Sequence, residues 1–244
     1  MTAADEQVAL VTGASRGIGR AIAEQLSAAG YAVVINHRDS ADDAGALARR
    51  LERGMVVQAD VADPVAVRAM AARVMATYGR LDVLVNNAGA TMPGDWRTLA
   101  PETWRRCIDV NLTSVFNCIQ VFAPMLARTG RGRVVNIGST YAGMGVGVIA
   151  GYAAAKAGVI ALTTSFAREL APQVAVNLIA PGNIDTEMTR SVGDEFVQSV
   201  IDRTPLRRLG DPADIAALVR FLVSENAAFI TGQTIVSDGG HALG

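Results

Sequence analysis

The sequence predicts an α/β fold, in which one parallel β-sheet is covered by helices on both faces. Short apolar runs alternate with segments of helical periodicity along the 244-residue chain. This alternation is typical of a parallel sheet with right-handed crossovers. Neither a linker, a low-complexity segment nor a short internal repeat interrupts it. A single domain, residues 1–244, is therefore expected.

The predicted elements follow one another in regular order. Apolar runs predict seven strands, at residues 8–13, 32–36, 55–60, 81–89, 132–139, 174–182 and 234–240. Helical periodicity occupies residues 17–29, 40–52, 64–78, 101–128 and 151–170, and Pro212 begins a further helix. Proline is favoured in the first turn of a helix, which supports the starts at 64, 101 and 212. Residues 183–210 are mixed and polar, so a loop with a short helix is expected there.

The composition favours a soluble globular protein. Half of the residues are hydrophobic and 18% are charged, which suffices for a large core. The formal net charge of −1 argues against nucleic acid as a partner, because binding to phosphate chains needs a basic excess. Two cysteines and two histidines are too few for a disulfide framework or a His/Cys metal site. No metal is expected.

Localisation is predicted to be cytoplasmic, without a membrane segment. The opening MTAADEQ is polar and acidic, unlike a secretory signal. Residues 134–155 carry no charge, but five glycines and several polar residues interrupt the stretch. A bilayer span would be more continuously apolar. The low cysteine content also suits a reducing compartment.

The loop TGASRGIG, residues 12–19, joins the first strand to the first helix and predicts a dinucleotide site. Gly13, Gly17 and Gly19 allow a tight turn and a close approach of the backbone to a ligand. The helix that follows directs its free N–H groups and the positive end of its dipole at the same place, which suits a pyrophosphate. The spacing is G-x-x-x-G-x-G, and an ordinary glycine-rich turn is the alternative.

The residues after the second strand indicate which dinucleotide binds. An NAD site usually carries an acidic residue there for the ribose hydroxyl, but this chain has His37 and then Arg38. Arg38 and Arg16 are predicted to clamp the 2′-phosphate of NADP(H). Two solvated surface arginines are the alternative. Asp39 follows directly, and a shift of register would place an acid near the ribose instead.

Several motifs in a fixed order resemble the short-chain dehydrogenase/reductase family. They are TGASRGIG, NNAG at 86–89, Asn111, Ser139, YAAAK at 152–156 and PGNIDT at 181–186. The likeness runs from about residue 7 to 241. Within the family, the ending FITGQTIVSDGG resembles the 3-oxoacyl-(acyl carrier protein) reductases.

The resemblance implies a Rossmann-type, doubly wound sheet of seven strands in the order 3-2-1-4-5-6-7. It also implies a homotetramer that pairs the long helices carrying Asn111 and Tyr152. Asp60 and Val61 would flank the adenine, and Ile184 and Thr186 would hold the carboxamide. The full set of expected cofactor residues is Gly13, Ser15, Arg16, Gly17, Ile18, Gly19, His37, Arg38, Asp60, Val61, Asn87, Ala88, Gly89, Tyr152, Lys156, Pro181, Gly182, Ile184 and Thr186.

Tyr152 and Lys156 are the predicted centre of catalysis. Residues i and i+4 share one face of a helix. A nearby ammonium favours the phenolate, as does the positive nicotinamide of an oxidised cofactor, so the pKa of Tyr152 is expected to fall from about 10. Tyr152 would then donate a proton to the alkoxide that forms from a carbonyl, and Ser139 would donate a hydrogen bond to the same oxygen. Lys156 would also hold the ribose. The family resemblance implies that Asn111 holds a water linked to Lys156.

The substrate is predicted to be a 3-oxoacyl thioester, carried by acyl carrier protein or by CoA, as in fatty acid biosynthesis. The segment 183–210 resembles the family's substrate lid, and residues 141–151 are apolar, as an acyl or alkyl ketone requires. Met144 and Val148 in that stretch are either pocket or core residues. Arg128, Arg131 and Arg133 are candidates for contact with an acidic carrier protein, with a solvated loop as the alternative.

Two departures from the family pattern affect the substrate prediction. Asn183 stands where a bulky apolar residue usually follows Gly182, and the stretch ARELAPQVAVN is one residue short and lacks the usual arginine. An alcohol dehydrogenase that uses NAD, or a reductase of another ketone, therefore stays open. A dinucleotide-binding sensor without catalysis is the remote alternative.

Overall fold

The computed structural model of the protein describes residues 7–243, so the polar start at 1–6 lies outside the described part. Seven parallel strands form one sheet in the order β3-β2-β1-β4-β5-β6-β7, which confirms the predicted topology. They are β1 (Val8–Val11), β2 (Ala32–His37), β3 (Gly54–Gln58), β4 (Val83–Asn86), β5 (Gly132–Ile137), β6 (Val174–Pro181) and β7 (Thr234–Ser237).

Ten α-helices connect the strands within the described residues. They are α1 (Gly17–Ala28), α2 (Ala41–Arg50), α3 (Pro64–Tyr78), α4 (Pro101–Ile108), α5 (Ser114–Arg128), α6 (Tyr141–Met144), α7 (Ala150–Glu169), α8 (Glu187–Arg190), α9 (Asp194–Arg203) and α10 (Pro212–Val223). Proline begins α3, α4 and α10 as predicted, and Asp63 and Asp211 cap α3 and α10 through their side chains.

Alternation along the buried strands divides the core into two layers. In β1, Leu10 faces the layer formed by α3, α5 and α7, whereas Val11 faces the layer formed by α1, α2 and α10. Both layers are apolar because successive strand residues point to opposite faces, and both faces are covered. Phe122 of α5 is fully buried in the first layer, and Ile22 of α1 in the second.

Two elements differ from the sequence prediction. The long helix at 101–128 is interrupted by a π-helical turn, Asp109–Thr113, which separates α4 from α5. The segment 183–210 contains two helices, α8 and α9, instead of one. Most strands also end earlier than the apolar runs that predicted them, because the last residues of these runs belong to the loops that follow the strands.

The helical stretches Pro101–Arg128 and Gly147–Glu169 are long and apolar enough to cross a membrane by length and composition alone. This is weak evidence, because core helices of soluble proteins pass the same test. Both stretches pack on one face of the sheet, where α5 and α7 contribute buried residues to the core. Residues 134–155 are not one helix at all, since they include most of β5, α6 and the start of α7.

The strand order reverses beside β1, between β2 on one side and β4 on the other. In doubly wound sheets the crevice at this point, outside the carboxyl ends of the strands, is where ligands bind. The glycine loop after β1, the NNAG segment after β4 and Ser139 after β5 all lie at this edge.

Candidate active site

The glycine loop has the backbone geometry of a ligand cradle. Gly13 and Gly17 adopt φ angles of 60° and 55°, in the left-handed region that favours glycine. A Cβ on Gly19 would lie 2.4 Å from the carbonyl oxygen of Gly13 and 2.5 Å from Nδ2 of Asn87. No side chain caps the N-terminus of α1, and its first turn holds no acidic residue. The helix therefore presents free N–H groups to the crevice.

Thr12 and Asn87 join this loop to the strand on the other side of the crevice. The Thr12 hydroxyl accepts hydrogen bonds from the backbone N–H groups of Asn87, at 2.9 Å, and Ala88, at 3.0 Å. In return, the Asn87 amide donates to the carbonyl oxygens of Thr12 and Gly13, at 2.9 and 3.1 Å. Asn87 thus uses its amide hydrogens to fix the loop, a role that sequence reasoning missed. Ser15 is buried and Ile18 is half-buried at the start of α1.

The two predicted phosphate ligands each pair with a carboxylate here. The Arg16 guanidinium lies 3.3 Å from Glu187 at the start of α8, and Arg38 pairs with the adjacent Asp39. All four side chains are at least half exposed, and such ion pairs stabilise weakly. A bound phosphate would compete with these carboxylates, so the clamp stays a prediction. His37, before Arg38, is buried, and its Nδ1 has no partner within residues 7–243.

Asp60 and Val61 stand after β3 in a well-defined loop. Asp60 accepts hydrogen bonds from the backbone N–H of Ala62, at 3.0 Å, and from Arg106, at 2.9 Å. Burial raises the pKa of Asp60, but these two bonds outweigh it and the net pKa is lowered. Val61 is buried, and its carbonyl oxygen accepts from Asn117.

Lys156 lies deep in the site, one helical turn beyond Tyr152 on α7. It is 3% exposed, and its Nζ donates to the carbonyl oxygen of Ile137 at 2.8 Å. Nζ is 5.7 Å from the centroid of the Tyr152 ring, which confirms that the two residues are neighbours. Burial lowers the pKa of Lys156 to about 8.

Tyr152 faces Ser139, as the sequence predicted. A side-chain hydrogen bond with Ser139 lowers the pKa of the phenol, but burial outweighs it and raises that pKa to about 12. In the ligand-free protein Lys156 therefore does not bring about the expected fall of the phenol pKa, and the fall expected with the oxidised cofactor bound stays a prediction. The physical reason is desolvation, which disfavours the phenolate more strongly than its neighbours favour it.

Ser139 is held by the turn that follows β5. It is 7% exposed, and its Oγ accepts the backbone N–H of Tyr141 at 3.2 Å. Because an acceptor site of the hydroxyl is used in this way, its own hydrogen can point to the phenol oxygen. When a substrate carbonyl lies between the two side chains, this hydrogen can turn to the substrate instead, and Ser139 and Tyr152 then direct two O–H groups at one oxygen.

Asn111 is completely buried in the π-helical turn. Its amide donates to the carbonyl oxygens of Ala90, at 2.8 Å, and Cys107, at 2.9 Å, and its Oδ1 accepts the Ala90 N–H at 3.1 Å. A Cβ on Gly89 would lie 2.8 Å from Oδ1 of Asn111 and 3.4 Å from Nζ of Lys156. Asn111 therefore lies beside Lys156 as expected, and it ties the loop after β4 to the helix.

The start of the 183–210 segment meets the glycine loop. Pro181 ends β6, and its carbonyl oxygen accepts the Thr140 N–H at 3.0 Å. A Cβ on Gly182 would lie 2.6 Å from that of Asp238. Ile184 is buried and forms a bridge with Gly210. The Thr186 methyl group is 3.3 Å from where a Gly17 Cβ would stand, which places Thr186 over the predicted cofactor cradle.

An apolar cavity of about 360 Å³ lies beside the start of α7. It is lined by Met92, Gly94, Trp96, Leu99, Pro101, Trp104, Gly147, Val148, Ala150 and Gly151. Val148 is 59% exposed and Met144 is 39% exposed, so neither belongs to the core. Sequence reasoning missed the contribution of the loop between β4 and α4 and of α4 itself, although Trp96 in that loop and Trp104 in α4 were a signal.

The three candidate arginines do not form one exposed patch. Arg133 is buried, and its guanidinium donates to the carbonyl oxygens of Arg131 and Gly132. The prediction that it faces a carrier protein is therefore wrong, because a strand residue between two covered faces has no open side. Arg131 is exposed beside Glu225, and Arg128 is exposed at the end of α5.

Three buried polar side chains, linked by hydrogen bonds, support the site on its inner side. Sequence reasoning did not predict them. Asn86 of β4 donates to Asn136 of β5 at 2.8 Å, and Asn136 donates to Thr163 of α7 at 2.9 Å. Each of the three is at most 3% exposed. Bonds of this kind in a dry interior fix the relative position of the elements they join. They hold α7, with its Tyr152 and Lys156, against the strands that carry NNAG and Ser139.

Comparison with known proteins agrees with this geometry. A family model described as enoyl-(acyl carrier protein) reductase matches residues 13–242. The 3-oxoacyl-[acyl-carrier-protein] reductase FabG of Staphylococcus aureus is 45% identical over 237 residues, which is 95% of this chain and 96% of that protein. The enzyme of the same name from Escherichia coli is 42% identical over 236 residues, with 96% of each chain covered.

The same architecture occurs in a solved structure of another dehydrogenase. The ligand-free aldohexose dehydrogenase of Thermoplasma acidophilum superposes with a TM-score of 0.90 and 32% identity, over 98% of this chain and 95% of that one. The match extends over nearly the whole chain in both sequence and structure. The chain belongs to the short-chain dehydrogenase/reductase family.

Proposed function

We propose that the protein is an NADPH-dependent reductase that converts a 3-oxoacyl thioester into the 3-hydroxyacyl form. The observation that carries the proposal is the meeting of Ser139, Tyr152 and Lys156 beside the glycine loop. Two hydroxyl donors that converge on one oxygen suit reduction of a carbonyl group. The curated relatives that match at 42–45% identity are named as 3-oxoacyl reductases.

The crevice fits a dinucleotide on the evidence of its own residues. The space at Gly19 that a Cβ would fill, and the uncapped start of α1, form a cradle for a pyrophosphate. Arg16 and Arg38 would hold the 2′-phosphate, and Lys156 would hold the nicotinamide ribose. When bound, the dinucleotide supplies a hydride to the carbonyl carbon.

Tyr152 supplies the proton to the carbonyl oxygen. A phenol whose pKa is raised by burial is fully protonated at neutral pH, as an acid in the reductive direction must be. Ser139 donates a hydrogen bond to the same oxygen and stabilises the negative charge that develops there. The Lys156 ammonium, held by Ile137, lies behind the phenol and favours the phenolate that remains.

The cofactor and the tyrosine can be tested together by turnover of acetoacetyl-CoA with NADPH. Replacement of Tyr152 by Phe should lower kcat by about 10²- to 10⁴-fold, because it removes the proton donor alone. NADPH binding should stay near that of the wild type, and Tyr78→Phe on α3 serves as the matched control. Near-normal turnover in Tyr152→Phe would contradict the assigned acid.

A second test separates NADP(H) from NAD(H). If Arg38 holds the 2′-phosphate, Arg38→Ala should raise the KM for NADPH by about tenfold or more and leave that for NADH almost unchanged. Arg73→Ala, an exposed arginine on α3, is the control. If Arg38→Ala changes the KM for NADPH and the KM for NADH equally, the result favours the alternative, an NAD-dependent alcohol dehydrogenase. In that enzyme Arg38 would stay paired with Asp39 and would not bind the cofactor.

The thioester is expected to lie with its acyl chain along the apolar cavity. Trp96, Trp104 and Val148 supply a surface without fixed charge, as an alkyl chain requires. The segment 183–210 would act as the lid over this substrate. For an acidic carrier protein, Arg128 at the exposed end of α5 is the remaining candidate contact, with Arg131 beside it.

We also infer a homotetramer in the cytoplasm. The outer faces of α5 and α7 expose Phe116 and a run of alanines, Ala154, Ala157 and Ala161, which an aqueous surface does not need. Aromatic residues such as Phe116 are enriched at the cores of subunit interfaces, and the small alanine side chains leave room for a second helix to approach. Both cysteines are free and buried, as suits a reducing compartment.

A further inference from the structure

Asn183 occupies a junction between the substrate side of the site and the root of the 183–210 segment. Its backbone carbonyl oxygen accepts the Gly210 N–H at 3.0 Å, which closes the two ends of that segment on each other. Its side-chain Oδ1 accepts the hydroxyl hydrogen of Tyr141 at 3.0 Å. The preceding Gly182 is packed against Asp238 so tightly that no Cβ would fit. The position of Asn183 is therefore fixed by both its neighbours and its own bonds.

Tyr141 connects this junction to the reacting groups. Its backbone N–H donates to Oγ of Ser139 at 3.2 Å. Its hydroxyl is also close enough to Tyr152 to contribute to the raised pKa of that phenol, after burial has had the larger effect. The Tyr141–Asn183 pair thus stands beside the position where Ser139 and Tyr152 meet the substrate carbonyl.

The amide of Asn183 keeps a donor that nothing in the described part of the chain uses. Nδ2 is buried and has no hydrogen-bond partner among residues 7–243. A buried polar group without a partner is costly, and such groups are rare in folded proteins. Rotation of the amide by half a turn does not remove the surplus, because Nδ2 would then donate to Tyr141 and leave the tyrosine hydrogen unused. In either orientation the pair retains a neutral donor.

We propose that Asn183, oriented by Tyr141, binds a second oxygen of the substrate and thereby selects ketones that carry another carbonyl group one carbon away. This inference rests on the proposed function and narrows its substrate class. A 3-oxoacyl thioester has two carbonyl oxygens separated by a single methylene carbon. The first takes the hydrogens of Ser139 and Tyr152, and the second requires a neutral donor close by, which the Asn183 amide provides.

The proposal also gives a reason for a polar residue at this place in the chain. Asn183 lies two residues beyond the end of β6 and is linked through Tyr141 to Ser139, next to a cavity whose lining is apolar. An apolar side chain at this position would offer the second carbonyl oxygen of a substrate no hydrogen-bond donor. A simple ketone has no second oxygen and makes no hydrogen bond with the amide. The preference for a dicarbonyl substrate over a simple ketone therefore depends on one hydrogen bond.

The test compares two small methyl ketones, of which only one carries a second carbonyl group. Ethyl 3-oxobutanoate carries it and pentan-2-one does not, and neither needs a carrier. We expect the wild type to prefer the oxo ester in kcat/KM. Asn183→Leu, which removes the amide at similar size, should reduce the ratio of the two kcat/KM values by about tenfold. Tyr141→Phe should reduce it less, because the amide stays but is no longer oriented.

The matched control is Tyr78→Phe, which removes a phenol hydroxyl far from the site and should leave the ratio unchanged. The proposal is overturned if Asn183→Leu lowers kcat/KM for both ketones equally, since the residue would then only hold the segment together. It is equally overturned if the wild type does not distinguish the ketones. If the wild type prefers the oxo ester but does not reduce acetoacetyl-CoA, the proposed thioester substrate is wrong. The proposed site for a second oxygen at Asn183 is then still supported.

A binding measurement covers the case in which neither ketone is reduced. Saturation-transfer NMR with the two ketones and the NADP⁺-loaded protein reports their relative affinities without any chemical step. Preferential binding of the oxo ester, lost in Asn183→Leu, supports the proposal even if the proposed reaction fails. Equal binding of both ketones by wild type and variant refutes it.

Discussion

Burial moves the pKa values of the two central groups in opposite directions. Desolvation raises the pKa of Tyr152 to about 12 and lowers that of Lys156 to about 8. Both shifts favour the neutral form, as the low polarity of the site dictates. Sequence spacing places the amine beside the phenol but cannot weigh the attraction of their charges against burial, because burial depends on the whole fold. The bound cofactor and substrate change that environment at the moment of reaction.

The shift at Lys156 has a consequence for stability. Its pKa in the folded chain, about 8, lies below the ordinary value of 10.5. Between these values the unfolded chain binds more protons than the folded chain, so the contribution of Lys156 to stability rises with pH. From pH 7.5 to 9.5, the free energy of unfolding of the wild type should rise by about 2 kcal/mol relative to that of Lys156→Met.

Urea unfolding of both ligand-free proteins at several pH values measures this difference. Below pH 7 the two profiles should run parallel, since Lys156 is protonated in both the folded and the unfolded chain. Profiles that stay parallel up to pH 9.5 would show that the folded chain does not depress the lysine pKa.

Individual site residues were predictable to the extent that they belong to local motifs. Ser139, Tyr152 and Lys156 lie where the pattern of YAAAK and its upstream serine placed them. The bond between Tyr141 and Asn183 was not predictable, because it joins residues 42 positions apart. The same holds for Thr12, whose partners lie 75 and 76 positions away. Arg133 was mispredicted because charge alone does not reveal that a strand is covered on both sides.

Among the elements, the loop before α1 owes its shape to glycine at defined places. The atoms closest to a Cβ on Gly19 are the Gly13 carbonyl oxygen and the Asn87 amide, both fixed by the bonds to Thr12 and its loop. Gly19→Ala should therefore force the loop open at a cost of about 1–3 kcal/mol. The dissociation constant for NADPH, measured by fluorescence titration, should rise by about ten- to hundredfold.

Gly45 in the middle of α2 is the matched control. A Cβ there would meet nothing closer than the end of Arg49, at 3.5 Å. Gly45→Ala should leave NADPH binding unchanged and raise the free energy of unfolding by about 0.5–1 kcal/mol, because alanine is the better helix former. Unchanged NADPH affinity in Gly19→Ala would disprove the cradle.

The elements were well predicted in type and less well at their ends. Proline at helix starts and aspartate at caps mark α3 and α10 clearly. The π-helical turn at Asp109–Thr113 left no sign in the periodicity, because one inserted residue shifts the apolar pattern only slightly. That turn buries Asn111 at the Ala90 loop, so the irregularity that sequence reasoning missed lies within the site.

For the whole molecule, strand–helix alternation and the rule of right-handed crossovers predicted a parallel sheet with few possible topologies, and the family resemblance supplied the strand order. The outer surface is harder to predict, because what one subunit exposes depends on its neighbours. Phe116 of α5 is 40% exposed and contacts Phe166 of α7, with their ring centroids 6.2 Å apart. Together with the exposed alanines of α7, this pair forms an apolar surface on the face of the sheet covered by α5 and α7.

If this surface is the centre of a subunit interface, the wild type should sediment at about four times the 25.5 kDa of one chain. Phe116→Glu would bury an unpaired carboxylate between two such surfaces, which costs several kcal/mol. Sedimentation velocity should then show smaller species. Val65→Glu is the control, because Val65 is 63% exposed in the first turn of α3, where a negative charge is favourable. A wild-type monomer would contradict the proposed tetramer, and a Phe116→Glu variant that sediments like the wild type would place the interface elsewhere.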